Sequence, residues 1–393
     1  MDENRGVSKT VSKVAMTFDL TDIIALVTLI QLIFLTVVIL NYRKGRLLSN
    51  RLLAGFMASN ALLIAHWLFS HLGWISLASL TIVRSVGGSS YFLMMPFLYL
   101  YLRSLCYKDF QLRVAHLLHL APFVIFVIFS YAAYSFNSAS PRLASSFFLN
   151  QNITRVESLT HEIVLHLQIF SYLIASSAVL IGYRRKLREI FSSLDRIDLQ
   201  WCNILLAGFT LMWLLDLLNW GFGMFHLIHP SVSYRMFVGS LLVNLSLTLI
   251  VTYKGLAQSA SFSGIQGLSK YSSSRLKISD CDQIAGELIA MMEKEKTYLS
   301  PSLSIDDLSQ KLNVPSRNLS QIIHTHFNKN FYDFINSYRI EEVKKRIHDE
   351  RYRHFTLVAI AFDSGFNSKS VFNAAFKKHA SMTPREFKLL HSS

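Results

Sequence analysis

The chain has 393 residues, of which 51% are hydrophobic, 13% aromatic and 16% charged, and its mean hydropathy is +0.33. Soluble globular proteins carry about 25% charged residues, so this composition excludes disorder for most of the chain and excludes a purely cytosolic enzyme. Three cysteines exclude a disulfide scaffold. The net charge of +14 favours acidic partners such as nucleic acid or anionic lipid.

Long apolar segments fill the first 253 residues. The first, residues 23–40, contains no charged side chain and is close to the roughly 20 residues needed to cross a bilayer core. Because the chain starts with acidic residues and no small-residue cleavage pattern follows Leu40, we expect this segment to be retained. An all-α domain of about seven transmembrane helices is therefore predicted, with six or eight as alternatives. The other six spans are predicted at residues 52–69, 80–102, 114–136, 162–183, 201–227 and 236–253.

The loops between these segments alternate in charge. Residues 42–51 contain four basic residues and no acid, whereas residues 71–79 and 221–234 contain no lysine or arginine. Basic loops face the cytoplasm in membrane proteins. The sequence therefore predicts a multi-pass protein of the inner (cytoplasmic) membrane, with its N-terminus outside and its C-terminal domain in the cytoplasm.

Two charged residues, Arg84 and Asp216, are predicted to lie deepest within the spans. Charged groups are costly in hydrocarbon and usually pair or line a cavity. We therefore expect Arg84 and Asp216 to pair or to bind a ligand, with snorkelling to a helix end as the alternative. His66, Asn60 and Asn219 are expected to line the same cavity, which would act as an intramembrane sensor.

Two further patterns favour structural roles. His161 and His166 are five residues apart, whereas a zinc-protease helix needs two histidines four residues apart, so metal hydrolysis is not predicted. The run Gly87-Gly88-Ser89 favours close helix packing over a nucleophile. With no nucleotide-binding loop or metal-ligand set, the sequence predicts no enzyme, no catalytic residue, no metal and no cofactor.

A change in composition follows Tyr253. Residues 254–280 contain eight serines and three glycines, which predicts a flexible linker over 254–281. Apolar residues at helical spacing then return at Ile284, Leu288 and Met291. A separate helical domain is predicted over residues 282–393.

Residues 304–327 have the pattern of a helix-turn-helix. Ser304 precedes two aspartates, as an N-cap should, and Pro315 ends the first helix. Ser316 is then expected to cap a second helix. The predicted buried positions of the two helices are Leu308, Leu312, Leu319, Ile322, Ile323 and Phe327.

The same pattern returns at residues 357–379, with Gly365 in the turn and Ser368 as the expected cap. Between the two units, residues 331–348 predict a helix of about 27 Å. A rod of that length could hold two recognition helices near one turn of DNA apart, which is about 34 Å. The predicted buried positions are Phe334, Ile335, Tyr338, Val343, Ile347, Leu357, Ile360, Ala361, Phe372 and Phe376.

Through these residues, the segment 304–388 resembles the DNA-binding domain of AraC/XylS-type bacterial transcription regulators. The resemblance implies a seven-helix, two-headed unit that binds promoter DNA. Ala380-Ser381 replaces the commoner Thr-Gly in one loop, which leaves the DNA-binding prediction intact. The first 253 residues do not resemble the soluble sensor usual in that family. The matching segments are Asp306-Asp307-Leu308, residues 313–320, 331–336, 338–341 and 360–368, Phe376-Lys377-Lys378 and residues 382–387.

The outward faces of the two recognition helices supply the candidate DNA contacts. Arginine can bind guanine and glutamine can bind adenine through paired hydrogen bonds. Ser316 and Ser368 are expected to cap helices whose N-termini approach phosphates. The resemblance implies base contacts at Arg317, Ser320, Gln321, Lys369, Ser370 and Ala374, the last only to a thymine methyl group. The outward faces add His324, Asn373 and Lys377.

Together these features predict a membrane-anchored one-component transcription regulator whose tail binds double-stranded promoter DNA. RNA polymerase, a second copy of the chain and an unidentified signal ligand are its other expected partners, besides the lipid bilayer. One alternative is a membrane transporter or enzyme with an accessory DNA-binding tail, which would need a polar cluster at the membrane midplane. A soluble regulator with an unusually hydrophobic core is the other alternative, and the charge-free first segment disfavours it.

Overall fold

The computed structural model describes residues 19–42, 46–72, 81–139, 147–194, 199–225, 227–259 and 278–390. Within these ranges the chain forms fifteen α-helices and no strand, which confirms the predicted all-α class. The chain divides into two compact units. The first unit comprises residues 1–177 and 203–264, and the second comprises residues 178–202 and 265–393.

The helices of the first unit expose many large apolar side chains, and several of them also bury polar side chains. In α1, for example, Phe34 is 64% exposed while Thr28 is fully buried. Exposed apolar side chains in such numbers are unusual for a soluble protein. The helices are α1 (Leu20–Asn41), α2 (Leu47–His71), α3 (Thr81–Ser89), α4 (Tyr91–Cys106), α5 (Ala121–Ala139), α6 (Phe147–Ile190), α7 (Gln200–Met224) and α8 (Pro230–Ser259), with a 3₁₀ helix at Val114–Leu120.

Six helices of the described chain are long and apolar enough to cross a membrane. The expected continuous third span is wrong, because that segment is broken into α3 and α4 at Ser90. Two glycines, the weakest helix formers after proline, precede the break. The Ser90 hydroxyl donates a 2.6 Å hydrogen bond to the Gly87 carbonyl and so stabilises the turn. The six are Leu20–Asn41, Leu47–His71, Val114–Ala132, Leu159–Ile190, Trp201–Met224 and Ser231–Ile250.

The predicted linker is helical at both ends. Helix α8 continues to Ser259, and the next helix already begins at Ile278. Residues 260–277, the rest of that linker, lie outside the described residues, as do residues 43–45, 73–80 and 195–198 of the loops used to predict orientation.

The second unit contains the end of α6 from Ala178 and seven further helices. Helix α12 connects two apolar clusters, because Phe334 and Ile335 belong to the first and Ile340 and Val343 to the second. The rod predicted between the two helix pairs is thus present. The helices are α9 (Ile278–Ala290), α10 (Ile305–Lys311), α11 (Ser316–Phe327), α12 (Phe331–Ile347), α13 (Leu357–Asp363), α14 (Lys369–Ala380) and α15 (Pro384–Leu390).

The caps of these helices agree with the sequence in part. Ser304 caps α10, accepting a hydrogen bond from the Asp307 amide while the Asp307 carboxylate accepts one from Ser304. Ser316 is not a cap: the extended Pro315 takes that position, and the Ser316 hydroxyl contacts Asp306 instead. Ser368 lies at the N-cap position of α14, but its hydroxyl pairs with Ser370 at 2.8 Å.

Candidate nucleic-acid interface and ligand cavity

Helix α11 separates its apolar and polar residues onto two faces. Leu319, Ile322 and Ile323 are buried in the first apolar cluster. The sequence-predicted contact residues lie on the other face, which carries a guanidinium, a hydroxyl, an amide and an imidazole. Arg317, Gln321 and His324 are exposed and Ser320 is half-buried.

Helix α14 is divided in the same way. Phe372 and Phe376 are buried in the second cluster. The opposite face is accessible along three turns and presents two ammonium groups, a hydroxyl and an amide. Its exposed residues are Lys369, Ser370, Asn373, Ala374 and Lys377. This face can bind phosphates and base edges.

A buried arginine on α12, Arg339, joins the elements around the two helix pairs. Arg339 is almost completely buried, with only 1% of its surface exposed. Its guanidinium donates to the carbonyls of Tyr298 (2.8 Å) and Ser300 (2.7 Å) and to the Asn336 amide oxygen (3.3 Å). Burial lowers the pKa of Arg339 to about 10, so the group remains protonated at neutral pH. No sequence pattern predicted that the Arg339 side chain would be buried.

A second polar network lies one turn further along α12. The Glu342 carboxylate accepts hydrogen bonds from Lys296 (3.0 Å), Arg346 (3.0 Å) and the Tyr298 hydroxyl (3.1 Å). Burial raises the pKa of the Glu342 carboxyl, but the hydrogen bonds from Lys296 and Arg346 outweigh it and hold that pKa below its usual value. Glu342 therefore fixes the position of α12 against the turn after α9.

The end of α6 and the residues after it contact the helix-turn-helix region within the second unit. The Ser192 amide and hydroxyl donate to the Leu303 carbonyl at 3.1 and 2.6 Å. Arg339 donates to the Ser192 carbonyl (3.1 Å) and hydroxyl oxygen (3.0 Å). The Glu189 carboxylate accepts from the Ser320 hydroxyl at 3.1 Å. No sequence pattern indicated these contacts, which join residues more than a hundred positions apart.

The first unit contains a cavity of about 560 Å³ between its helices. The three residues predicted as a sensor, Arg84, Asp216 and His66, all line this cavity, together with Glu162 and His161. The predicted convergence is therefore present. Asn60 and Asn219 do not line it.

The two asparagines form hydrogen bonds outside the cavity lining, although Asn60 Oδ1 also accepts one from the lining residue Asn244 at 3.5 Å. The Asn60 amide donates to the Phe56 carbonyl within its own helix at 3.0 Å. The Asn219 amide oxygen accepts from the Ser233 hydroxyl at 2.6 Å. Short polar side chains often bond within or beside their own helix in this way, so helical spacing alone could not assign them to the cavity.

Buried polar atoms around the cavity have unused hydrogen-bonding capacity. Trp213 Nε1, His66 Nδ1 and Asn244 Oδ1 are buried and make no hydrogen bond to any described residue. Such atoms are rare in native structures and indicate a bound molecule or water. Gly87 packs against His66 of the cavity lining: a Cβ added to Gly87 would lie 2.8 Å from the His66 ring, so close packing explains this glycine as predicted.

The comparisons with known proteins bear on the second unit. Residues 308–389 match the helix-turn-helix domain family. No curated protein matches the chain. A solved structure of a protein of unknown function from Listeria innocua is similar to it at 22% identity and a TM-score of 0.25, over 28% of this chain and 97% of that one. The chain thus carries a helix-turn-helix domain at its C-terminus.

Proposed function

We propose that this chain is a membrane-anchored one-component transcription regulator. The observation that carries the proposal is the combination, in one chain, of six membrane-length apolar helices and a C-terminal helix-turn-helix domain with exposed polar faces. The domain indicates a regulator. Anchoring in the bilayer and control by a membrane signal are the parts that we infer.

In this proposal the chain crosses the bilayer seven times. Helices α3 and α4 together form a broken span over residues 81–106, which is long enough at 1.5 Å per residue. Broken helices occur at membrane depth where they border a cavity, and Arg84 of α3 lines one here. An odd number of spans puts the two termini on opposite sides of the membrane, and the basic loop at residues 42–51 favours a cytoplasmic tail that reaches the chromosome.

The two helix pairs, α10–α11 and α13–α14, act as two reading heads on one side of the duplex. Helix α12 has 17 residues and a length of about 25 Å, so it spaces the heads by close to one DNA turn. Phosphate contacts would supply affinity, and the residues on α11 and α14 would select the sequence. RNA polymerase and a second copy of the chain are further proposed partners.

Loss of one contact residue from either head should weaken specific DNA binding. We expect Arg317→Ala and Lys369→Ala each to cost about 1–3 kcal/mol on duplexes that the intact protein selects. Full-length protein in lipid nanodiscs is mixed with sheared genomic DNA, and the retained fragments are sequenced and then titrated singly at several salt concentrations.

Arg353→Ala is the matched control for charge loss, because its side chain lies outside the recognition helices and is 75% exposed. It should change affinity little for selected duplexes. No sequence enrichment by any form of the protein, or equal losses for Arg317→Ala and Arg353→Ala, would count against promoter recognition.

The cavity of the first unit is the proposed signal site, and its lining indicates a small amphipathic cation. Two carboxylates, Glu162 and Asp216, face one guanidinium, Arg84, so a bound ammonium group improves the charge balance. Trp67 and Trp213 also line the cavity and can contact a cation through their ring faces. A volume of about 560 Å³ suits a small organic molecule.

Asp216→Asn should weaken binding of such a cation about tenfold, because it removes a charge-assisted hydrogen bond from a buried site. The probe is phenethylammonium, titrated into the nanodisc-embedded chain while tryptophan fluorescence is recorded. Phenylethanol, the neutral analogue, should bind more weakly than the amine. Glu350→Gln is the control, since that side chain is 89% exposed in the second unit. Equal binding of the two probes would contradict a cation site.

A further inference from the structure

Residues 189–193, here named the docking segment, are the last two residues of the long helix α6 and the three residues after it. Phe191 pairs with Ser304 in an isolated antiparallel bridge, and Ser192 is fully buried. Ile190 packs against the first apolar cluster. The segment is therefore a packed part of the second unit and makes specific backbone contacts to the residues that precede α10.

The docking segment also reaches both helix pairs. Glu189 accepts the hydrogen bond of Ser320 on α11, and the Ser193 hydroxyl bonds the Asn367 amide oxygen at 2.8 Å, directly before α14. Between these two points, Ser192 accepts two hydrogen bonds from Arg339 of α12. One short segment thus holds the two pairs and the helix that joins them.

The position of Glu189 conflicts with bound DNA. Its carboxylate lies 3.1 Å from the hydroxyl of Ser320, one of the residues proposed to face the bases. A duplex docked on that face would bring its phosphates towards this negative charge and would need the same hydroxyl. The docked arrangement therefore opposes DNA binding through both charge and occupancy.

We propose that the docking segment is an intrachain inhibitor that holds the two heads in a form unable to bind DNA until α6 shifts. The proposal rests on the proposed DNA-binding function. Helix α6 is continuous over Phe147–Ile190 and carries His161, Glu162 and Ile169 of the cavity lining. A ligand that displaces this helix can therefore release the segment, because a continuous helix transmits an axial shift or rotation along its length.

A reversible crosslink tests whether the docked form is the inactive one. The double variant Ser193→Cys/Asn367→Cys places two thiols where the side chains now meet at 2.8 Å. It is made with Cys281→Ser, because the other native cysteines, Cys106 and Cys202, are buried. Full-length protein in nanodiscs is titrated with a selected genomic duplex, oxidised and then reduced.

We expect the oxidised protein to bind at least about tenfold more weakly than the same sample after reduction. Equal or tighter binding by the crosslinked form would overturn the proposal, since the docked segment would then belong to the DNA-bound state. In that outcome the basic run at residues 184–188 would contact phosphates beside α11. If neither redox form, nor any variant, enriches a DNA sequence, the proposed function itself fails.

A single charge change provides an independent measurement. Glu189→Gln removes the negative charge but keeps the side chain's size, so DNA affinity should rise about fivefold without a change in folding. Glu350→Gln removes one exposed carboxylate elsewhere in the same unit and should leave affinity within about twofold. An equal rise in both variants would attribute the effect to net charge alone and would contradict a specific inhibitory contact.

Discussion

Replacing Arg339 with alanine is expected to lower the free energy of unfolding of the second unit by about 3–5 kcal/mol. The guanidinium donates to three backbone carbonyls; those of Tyr298 and Ser192 would lose this partner in a buried site, whereas Ser300 is exposed. An unsatisfied buried acceptor costs more than a hydrogen bond normally contributes. The loss would spread to both helix pairs, because α12 packs in both apolar clusters.

Lysine should not rescue this position. A guanidinium presents donors in a planar fork, and here all three of its nitrogens are used, whereas an ammonium is a single point. Arg339→Lys should therefore restore less than half of the unfolding free energy that Arg339→Ala loses. Hydrogen exchange of amides in residues 278–390 of the full chain in nanodiscs measures both variants.

Arg353→Lys is the matched control for the Arg339→Lys substitution, since the Arg353 guanidinium is 75% exposed. Its amide protection should equal that of the unmodified chain. A loss of less than about 1 kcal/mol of protection in Arg339→Ala would mean that water hydrogen-bonds the freed carbonyls. Arg339 would then not be required for the stability of the second unit.

The parts of the fold that depend on neighbouring residues were predictable. Ser304 and Asp307 are three residues apart, so their reciprocal cap is visible in the sequence. The two faces of α14 also follow from helical spacing, which separates buried Phe372 and Phe376 from exposed Lys369 and Lys377. These local patterns are sufficient for the helix-turn-helix region and for the accessibility of its candidate contacts.

The parts that depend on distant residues were not predictable. Arg339 and Ser192 are 147 positions apart, and an arginine within an amphipathic helix is usually solvated. The sequence at the end of α6 is that of an ordinary basic loop. Nothing in it indicates contacts with both helix pairs. Ser316 shows the same limit at short range, because Pro315 adopts the extended cap conformation in its place.

The first unit shows that apolar length and helix continuity are separate properties. Residues 80–102 are apolar enough for one span, yet the chain turns at Ser90 between α3 and α4. In contrast, the convergence of Arg84 and Asp216 followed from the cost of charge among apolar side chains, which drives such groups to a shared cavity. Energetic arguments of that kind hold without knowledge of the helix arrangement.

Gly365→Ala is expected to destabilise the second unit by about 2–4 kcal/mol and to impair the second head most. Gly365 has φ +94, a conformation that L side chains rarely adopt. An added Cβ would also lie 2.5 Å from the Tyr298 carbonyl oxygen and 2.9 Å from Arg339 Nε. Neither atom can move away cheaply, because the two are hydrogen-bonded to each other at 2.8 Å.

Gly286→Ala supplies the matched control, because Gly286 is helical, exposed and has no neighbour within 4 Å of an added Cβ. That substitution should be neutral or stabilise the chain by up to about 1 kcal/mol. Hydrogen exchange and DNA titration of the full chain distinguish the two glycines. Since Gly365 forms the turn between α13 and α14, we expect its substitution to displace the second recognition helix. Selected duplexes should then bind about as weakly as they do to Lys369→Ala, whereas unchanged affinity would show that the second head does not read DNA.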